Sequence, residues 1–260
     1  MRPIDGLLID IDGVLVVSWE PLAGAAEALG RLRAAQVPIR FATNTTSRTR
    51  PQIADALTDA GMPVEPDEIL TATVATASYL RVHHPGARCL VLNEGDLAED
   101  MAGVEMTTSA PADVVVIGGA GPAFSYEAVT EAFTLVNAGA PLVAMHRNLV
   151  WQTRDGLALD TGFYVTAIEQ AAGVEATVVG KPAAAFFAAG AAALDLEPSQ
   201  VAMVGDDVVS DVLGAQEAGM TGVLVKTGKF RPESLEGLDA GPEVTLESFA
   251  DVPEALGLSG

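Results

Sequence analysis

Two aspartates, Asp10 and Asp12, stand one residue apart at the end of the apolar run Leu7-Leu8-Ile9, and Gly13 follows at once. A carboxylate can attack phosphorus and carry the phosphoryl group as a covalent aspartyl-phosphate. Asp10, first after the run, is the candidate nucleophile. Asp12, two residues on, is placed to protonate the leaving-group oxygen and later to activate water. Gly13 admits a phosphate close to the backbone, where N–H groups can form an anion-binding nest. Two neighbouring carboxylates need a cation between them. Asp206, in "VGDDVVSD", ends another apolar run and offers a third carboxylate. Mg²⁺ suits one or two carboxylates together with waters and phosphate oxygens. The expected ligands are Asp10 and Asp206 through carboxylates and Asp12 through its backbone carbonyl.

The remaining candidates surround that centre. Lys181, between Gly180 and Pro182, can neutralise Asp10 and the phosphoryl oxygens. Asp211, five residues after Asp206, would orient metal-bound waters or Lys181. Asp207 is either a further support or the cap of the helix that follows. Thr43 and Asn44 offer a hydroxyl, an amide and backbone N–H donors to the same phosphoryl group. Each has a plainer reading alone: a solvated strand end, an exposed lysine, a turn. Cys89, at the head of an apolar run, reads as a small core residue.

Four apolar strands must deliver these groups to one place: "GLLI" before Asp10, "IRFA" before Thr43, "TVVG" before Lys181 and "AMVG" before Asp206. In open α/β sheets, ligands bind at the carboxyl ends of the strands. Helical stretches alternate with these runs: "PLAGAAEALGRLRAAQ", "RPQIADALTDAG" with Pro51 in its first turn and Gly61 as its stop, "AAAFFAAGAAALDL" and "SDVLGAQEAG". The alternation implies an α/β fold, a doubly wound parallel sheet. Between about Arg81 and Glu175 lies a second α/β set: "RCLVLNE", "ADVVVIGG", a helix over 125–139, "PLVAMH" and helical residues from Phe163. The expected plan is a core of residues 1–80 and 176–260 with an inserted module over 81–175. His83 and His84, before Pro85, read as linker.

Composition narrows the partners. Of 260 residues, 49% are hydrophobic, enough for a packed core. The formal net charge of −21 repels nucleic acid and anionic lipid, so any anionic substrate needs local cations or a metal. No apolar run approaches the ~20 residues that span a bilayer. The single cysteine and the absence of a signal-like leader fit a reducing cytoplasm. The glycine-rich "GGAGPAF" from Gly118 lacks the third glycine of a dinucleotide fingerprint.

Asp10-x-Asp12-Gly13, Thr43-Asn44, Gly180-Lys181-Pro182 and Gly205-Asp206-Asp207 together resemble the haloacid dehalogenase superfamily of phosphatases over nearly the whole length. The inserted module looks like the α/β cap of the subfamily that includes NagD and pyridoxal phosphate phosphatase. The strings "IRFATNTTSRTR", "FSYEAVTEAF", "ATVVGKP", "MVGDDVVSDVLGAQEAGM" and "VKTGKFRP" look most like the phospholysine/phosphohistidine/inorganic pyrophosphate phosphatase group. The resemblance implies a HAD-like Rossmannoid core, Asp10 as nucleophile and Asp12 as acid/base. It places Thr43, Asn44 and Lys181 on phosphate and Mg²⁺ on Asp10, Asp12 and Asp206. Animal members of that group carry Ser at the position of Asp12. The aspartate here favours ordinary phosphomonoester hydrolysis over cleavage of P–N or pyrophosphate bonds.

In that family the cap closes over a small phosphorylated substrate and selects the leaving group. His146, Arg147, Asn148, Trp151 and the turn 159–163 are its candidates, with Arg147 or His146 expected on an anionic leaving group and a polar loop away from the site as their plainer reading. A homodimer through the cap is a further expectation. The rival from another class is a receiver-like protein that binds Mg²⁺ and phosphate without turnover; it would have no use for Asp12.

Overall fold

The computed structural model describes residues 4–153, 156–238 and 240–258. The chain divides into two units. One holds the residues up to Thr43, Arg50–Leu70 and those from Lys181 onward; the other holds Asn44–Thr49 and Thr71–Gly180.

In the first unit six strands lie in the order Val244–Leu246, Thr221–Val225, Val201–Gly205, Gly6–Ile9, Ile39–Thr43, Ile69–Thr71. Gly6–Ile9 pairs in parallel with Val201–Gly205 on one side and with Ile39–Thr43 on the other. Thr221–Val225 continues the parallel ladder, and Val244–Leu246 after it. Gly6–Ile9, Val201–Gly205 and Thr221–Val225 are buried along their whole length, which is why they read as unbroken apolar runs rather than alternating ones. Ile9 lies opposite both Val204 and Phe41. All three chains therefore leave the sheet at the same edge.

The covering helices follow from spacing. Ala25–Ala34 buries Ala25, Ala28, Leu29 and Leu32, one face of a helix. Arg50–Asp59 buries Ile53, Ala54 and Leu57. It stops where Gly61 takes φ +82° and Met62 N–H bonds back to the Leu57 carbonyl. On Ala184–Ala193, Gly190 lies directly over Leu8, and a Cβ there would collide with that side chain. One expected helix differs. Residues Val208–Leu213 form a π turn before a short α segment, Gly214–Glu217. The Asp207 carbonyl accepts from both Asp211 and Val212, which widens the turn.

The second unit has its own parallel sheet, ordered Thr177–Val178, Leu142–Ala144, Val114–Ile117, Arg88–Leu92, Glu105–Thr107. Alternate residues of its strands feed two cores. Cys89, Val114, Val116 and Val143 pack with Ala77 and Leu80, while Leu90, Val115, Ile117 and Leu142 pack with Ala132, Val136, Val165 and Ile168.

This packing explains where the boundary falls. The helix Ala72–His83 belongs to the second unit because its apolar face completes that first core, so the unit's main segment begins at Thr71 where the sequence suggested about Arg81. It ends at Gly180, against an expected 175. His83 closes that helix and stacks on Tyr79 at 4.4 Å; it is not linker. Nor is 159–163 a turn: Leu159 ends a strand of the hairpin Val150–Thr153/Gly156–Leu159, and Asp160 caps the helix Thr161–Ala172. Among the described residues no helix is long and apolar enough to cross a membrane.

Candidate active site

Asp10 is the first residue past its strand, and its own N–H still bonds the Val204 carbonyl. That bond fixes where the side chain starts. Its Oδ1 accepts the Ile11 N–H at 2.7 Å and lies 2.9 Å from Lys181 Nζ. Lys181 is buried, and its Nζ also donates to the Ala42 carbonyl at 2.9 Å and approaches Asp211 Oδ1 at 2.7 Å. Thus the ammonium links the strand end before Thr43, the Asp10 loop and the π turn. Burial opposes its charge, yet Asp10 and Asp211 hold it above the ordinary lysine range.

Asp211 reaches Lys181 because of the π turn and because Gly205 has no side chain: a Cβ at Gly205 would occupy the Asp211 carboxyl. The other Asp211 oxygen accepts the Asp207 N–H at 3.1 Å. Asp207 itself turns away to cap, its Oδ1 accepting from Val209 and Ser210. Asp206 is fully buried at the adjoining strand end. Its Oδ2 accepts the Lys229 N–H at 2.6 Å, while Oδ1 has no hydrogen-bond partner among the described residues. Gly13 explains part of this crowding. It has φ +91°, and a Cβ there would fall on the Asp206 carboxylate.

Carboxylate oxygens of Asp10, Asp206 and Asp211 lie within 4.8 Å of one another. So close a set with few cations around it favours protons. Burial, then Asp10 and Asp211, raise Asp206 well above the ordinary carboxyl range. Burial lifts Asp211 to about 7 against the pull of Lys181. Asp12, half-buried, is raised to about 6 by burial, with Lys229 opposing and Asp10 adding. Lys229 in turn is held charged by Asp206 and Asp10, despite burial. The cluster is short of positive charge, and Asp206 Oδ1 is a buried acceptor with no donor among the described residues. A hard divalent cation supplies what both facts call for, and the all-oxygen donor set fits Mg²⁺.

The structure therefore brings together Asp10, Asp12, Gly13, Lys181, Asp206 and Asp211, with buried Thr43 at the end of the neighbouring strand. Asn44 and Arg147 fall in the second unit. There the Arg147 guanidinium meets Glu169 at 2.5 Å, and Glu169 also accepts the Ala176 N–H. His146 is buried, with Nε2 3.2 Å from Thr161 Oγ1. Trp151 is on the hairpin, partly exposed. Sequence reasoning missed Lys229 and Thr227. The signals were their place just after a strand and their presence in the string "VKTGKFRP", to which no role was attached.

Comparison with known proteins bears directly on this arrangement. A model of haloacid dehalogenase-like hydrolases matches residues 7–107, and a second HAD-hydrolase-like model matches 178–252. The haloacid dehalogenase-like hydrolase domain-containing protein 2 of Homo sapiens is 40% identical, over 95% of this chain and 94% of its own length. The chain belongs to the haloacid dehalogenase-like hydrolases. The phospholysine phosphohistidine inorganic pyrophosphate phosphatase of Danio rerio is 36% identical to this hydrolase, over 96% of the chain and 92% of that protein. A p-nitrophenyl phosphatase from Archaeoglobus fulgidus superposes on it with a TM-score of 0.89 at 30% identity, over 97% and 99% of the two chains.

Proposed function

We propose that this hydrolase is a Mg²⁺-dependent phosphatase acting on a small phosphorylated compound through an aspartyl-phosphate on Asp10. The observation that carries the reading is the Asp206 carboxylate: buried, one oxygen without a partner among the described residues, and within 4.8 Å of Asp10. The similarity to proteins named as phosphatases supports the reaction class.

The Asp10 carboxylate, oriented by the Ile11 N–H and Lys181 at Oδ1, attacks phosphorus. The P–O bond to the leaving group breaks as the Asp10–phosphorus bond forms, and Asp12 delivers its proton to the departing oxygen. A carboxyl near pKa 6 can serve there as an acid and, once ionised, as the base that takes a proton from water. That water attacks phosphorus, releases phosphate and restores Asp10. Lys181 offsets the charge on Asp10 and the phosphoryl oxygens, and Asp211 holds Lys181 in place. Thr43 donates its hydroxyl to a phosphoryl oxygen. Asp10 and Asp206 carboxylates and the Asp12 carbonyl would hold the metal, which when bound neutralises these carboxylates and the phosphoryl oxygens.

The substrate class is a phosphomonoester, because Asp12 provides the proton that an alkoxide leaving group needs. A receiver-like binder would have no use for that proton. Asp10→Asn should abolish p-nitrophenyl phosphate hydrolysis by a protein whose circular dichroism is unchanged, and should abolish acid-stable phosphate incorporation during wild-type turnover conditions. Turnover by that variant at the wild-type rate refutes the assignment.

A further inference from the structure

One loop reaches the site from the strand Thr221–Val225 and has no part in the mechanism above. Thr227 Oγ1 donates to the Gly13 carbonyl at 2.5 Å, in the segment that carries Asp10 and Asp12. Two residues later the Lys229 N–H donates to Asp206 Oδ2 at 2.6 Å. Between them Gly228 takes φ +55°, and a Cβ there would fall on both Asp206 Oδ2 and Gly13 Cα. Gly13 faces the same carboxylate, its own missing Cβ leaving room for it. Asp206 is thus clamped between two glycines with one oxygen taken and the other open.

We propose that Thr227-Gly228-Lys229 is a positioning loop: it fixes the rotation of the Asp206 carboxylate so that Oδ1 faces the divalent cation, and it ties that carboxylate to the Asp10 loop. The inference rests on reading Asp206 as a metal ligand. A carboxylate free to rotate would present either oxygen, and the cation would have to order it on binding. The backbone donor removes that freedom beforehand. It acts only while the loop stays in place, and the Thr227 hydroxyl anchors it across to Gly13. Partners that orient a ligand in this way change metal affinity by about 10- to 100-fold when lost.

The experiment compares wild type, Thr227→Val and Thr227→Ser. Valine keeps the shape and removes the donor; serine keeps the donor. Mg²⁺ binding is read by isothermal titration calorimetry without substrate, and the Mg²⁺ dependence of p-nitrophenyl phosphate turnover is read beside it. Thr227→Val should bind Mg²⁺ about tenfold more weakly, with its half-saturating Mg²⁺ raised by more than kcat at saturating Mg²⁺ is lowered. Thr227→Ser should restore wild-type affinity. Should the valine variant fail to fold, Thr227→Ala gives the same readout. Valine or alanine variants that bind Mg²⁺ as wild type does overturn the positioning role, whatever their melting temperature. A wild type that takes up no Mg²⁺ instead overturns the metal reading itself.

Discussion

Lys181 is the residue on which the charges of the site balance. It is buried, with Asp10 at 2.9 Å and Asp211 at 2.7 Å. Removing one partner of a buried ionic network leaves uncompensated charge and costs about 3–5 kcal/mol. Lys181→Met should therefore lose stability of that order at neutral pH in urea unfolding, and lose turnover with it. Adding Asp211→Asn to the variant should recover part of the stability, because one orphaned carboxylate is gone. A double variant less stable than Lys181→Met would contradict the pairing. The lysine was legible in the sequence because it follows the apolar run "TVVG", but that run is not a fourth strand of the sheet that ends at Asp10, Thr43 and Asp206: Thr177–Val178 pairs with Leu142–Ala144 in the second unit, and Lys181 starts the segment after it that returns to the first. Thr227 was not legible, since a Thr-Gly after a strand reads as any turn, and only the fold brings Gly13 to it from 214 residues away. Glu169, the partner of Arg147, was hidden in the same manner inside an amphipathic helix.

At the scale of elements, the sheet edge was readable and the turn after it was not. The spacing of apolar residues fixes the helices Ala25–Ala34 and Arg50–Asp59, and continuous apolar runs fix the buried strands. The π turn over Val208–Leu213 depends on one carbonyl accepting two bonds, which no periodicity reports. The helix Ala72–His83 escaped for a different reason: its buried face is mostly small, with Ala72, Thr73, Thr76, Ala77 and Leu80 giving little apolar contrast. The π turn has a consequence for Gly205, whose missing Cβ is the space that the Asp211 carboxyl fills. Gly205→Ala should push Asp211 off Lys181, costing about 1–3 kcal/mol by overpacking, and should lower kcat more than KM in p-nitrophenyl phosphate assays. Gly190→Ala is the comparison, since it meets the end of the Leu8 side chain in the core rather than a charged group. It should cost stability and leave kcat in place. Equal kcat losses in the two would remove Asp211 from the site.

Across the whole molecule, the acidic cluster and the overall acidity act in one direction on stability. Folded Asp211 titrates near 7 and folded Asp206 well above 3.8, the value both approach when the chain unfolds. Between those limits the folded state binds more protons than the unfolded one, so stability falls as pH rises. Self-repulsion around the formal charge of −21 grows as pH rises and lowers stability in the same direction. Metal-free protein should therefore melt at higher temperature at pH 5 than at pH 8. Mg²⁺ held as proposed would compete with those protons for the same oxygens, so a fixed Mg²⁺ concentration should raise the melting temperature more at pH 8 than at pH 5. Asp206→Asn imitates the protonated side chain. It should flatten the pH dependence of the metal-free protein and erase most of the Mg²⁺ response, which differential scanning calorimetry at the two pH values measures. A Mg²⁺ shift as large at pH 5 as at pH 8, or one that survives Asp206→Asn, would mean that the cation stabilises the fold from somewhere other than the strand ends that carry Asp10 and Asp206.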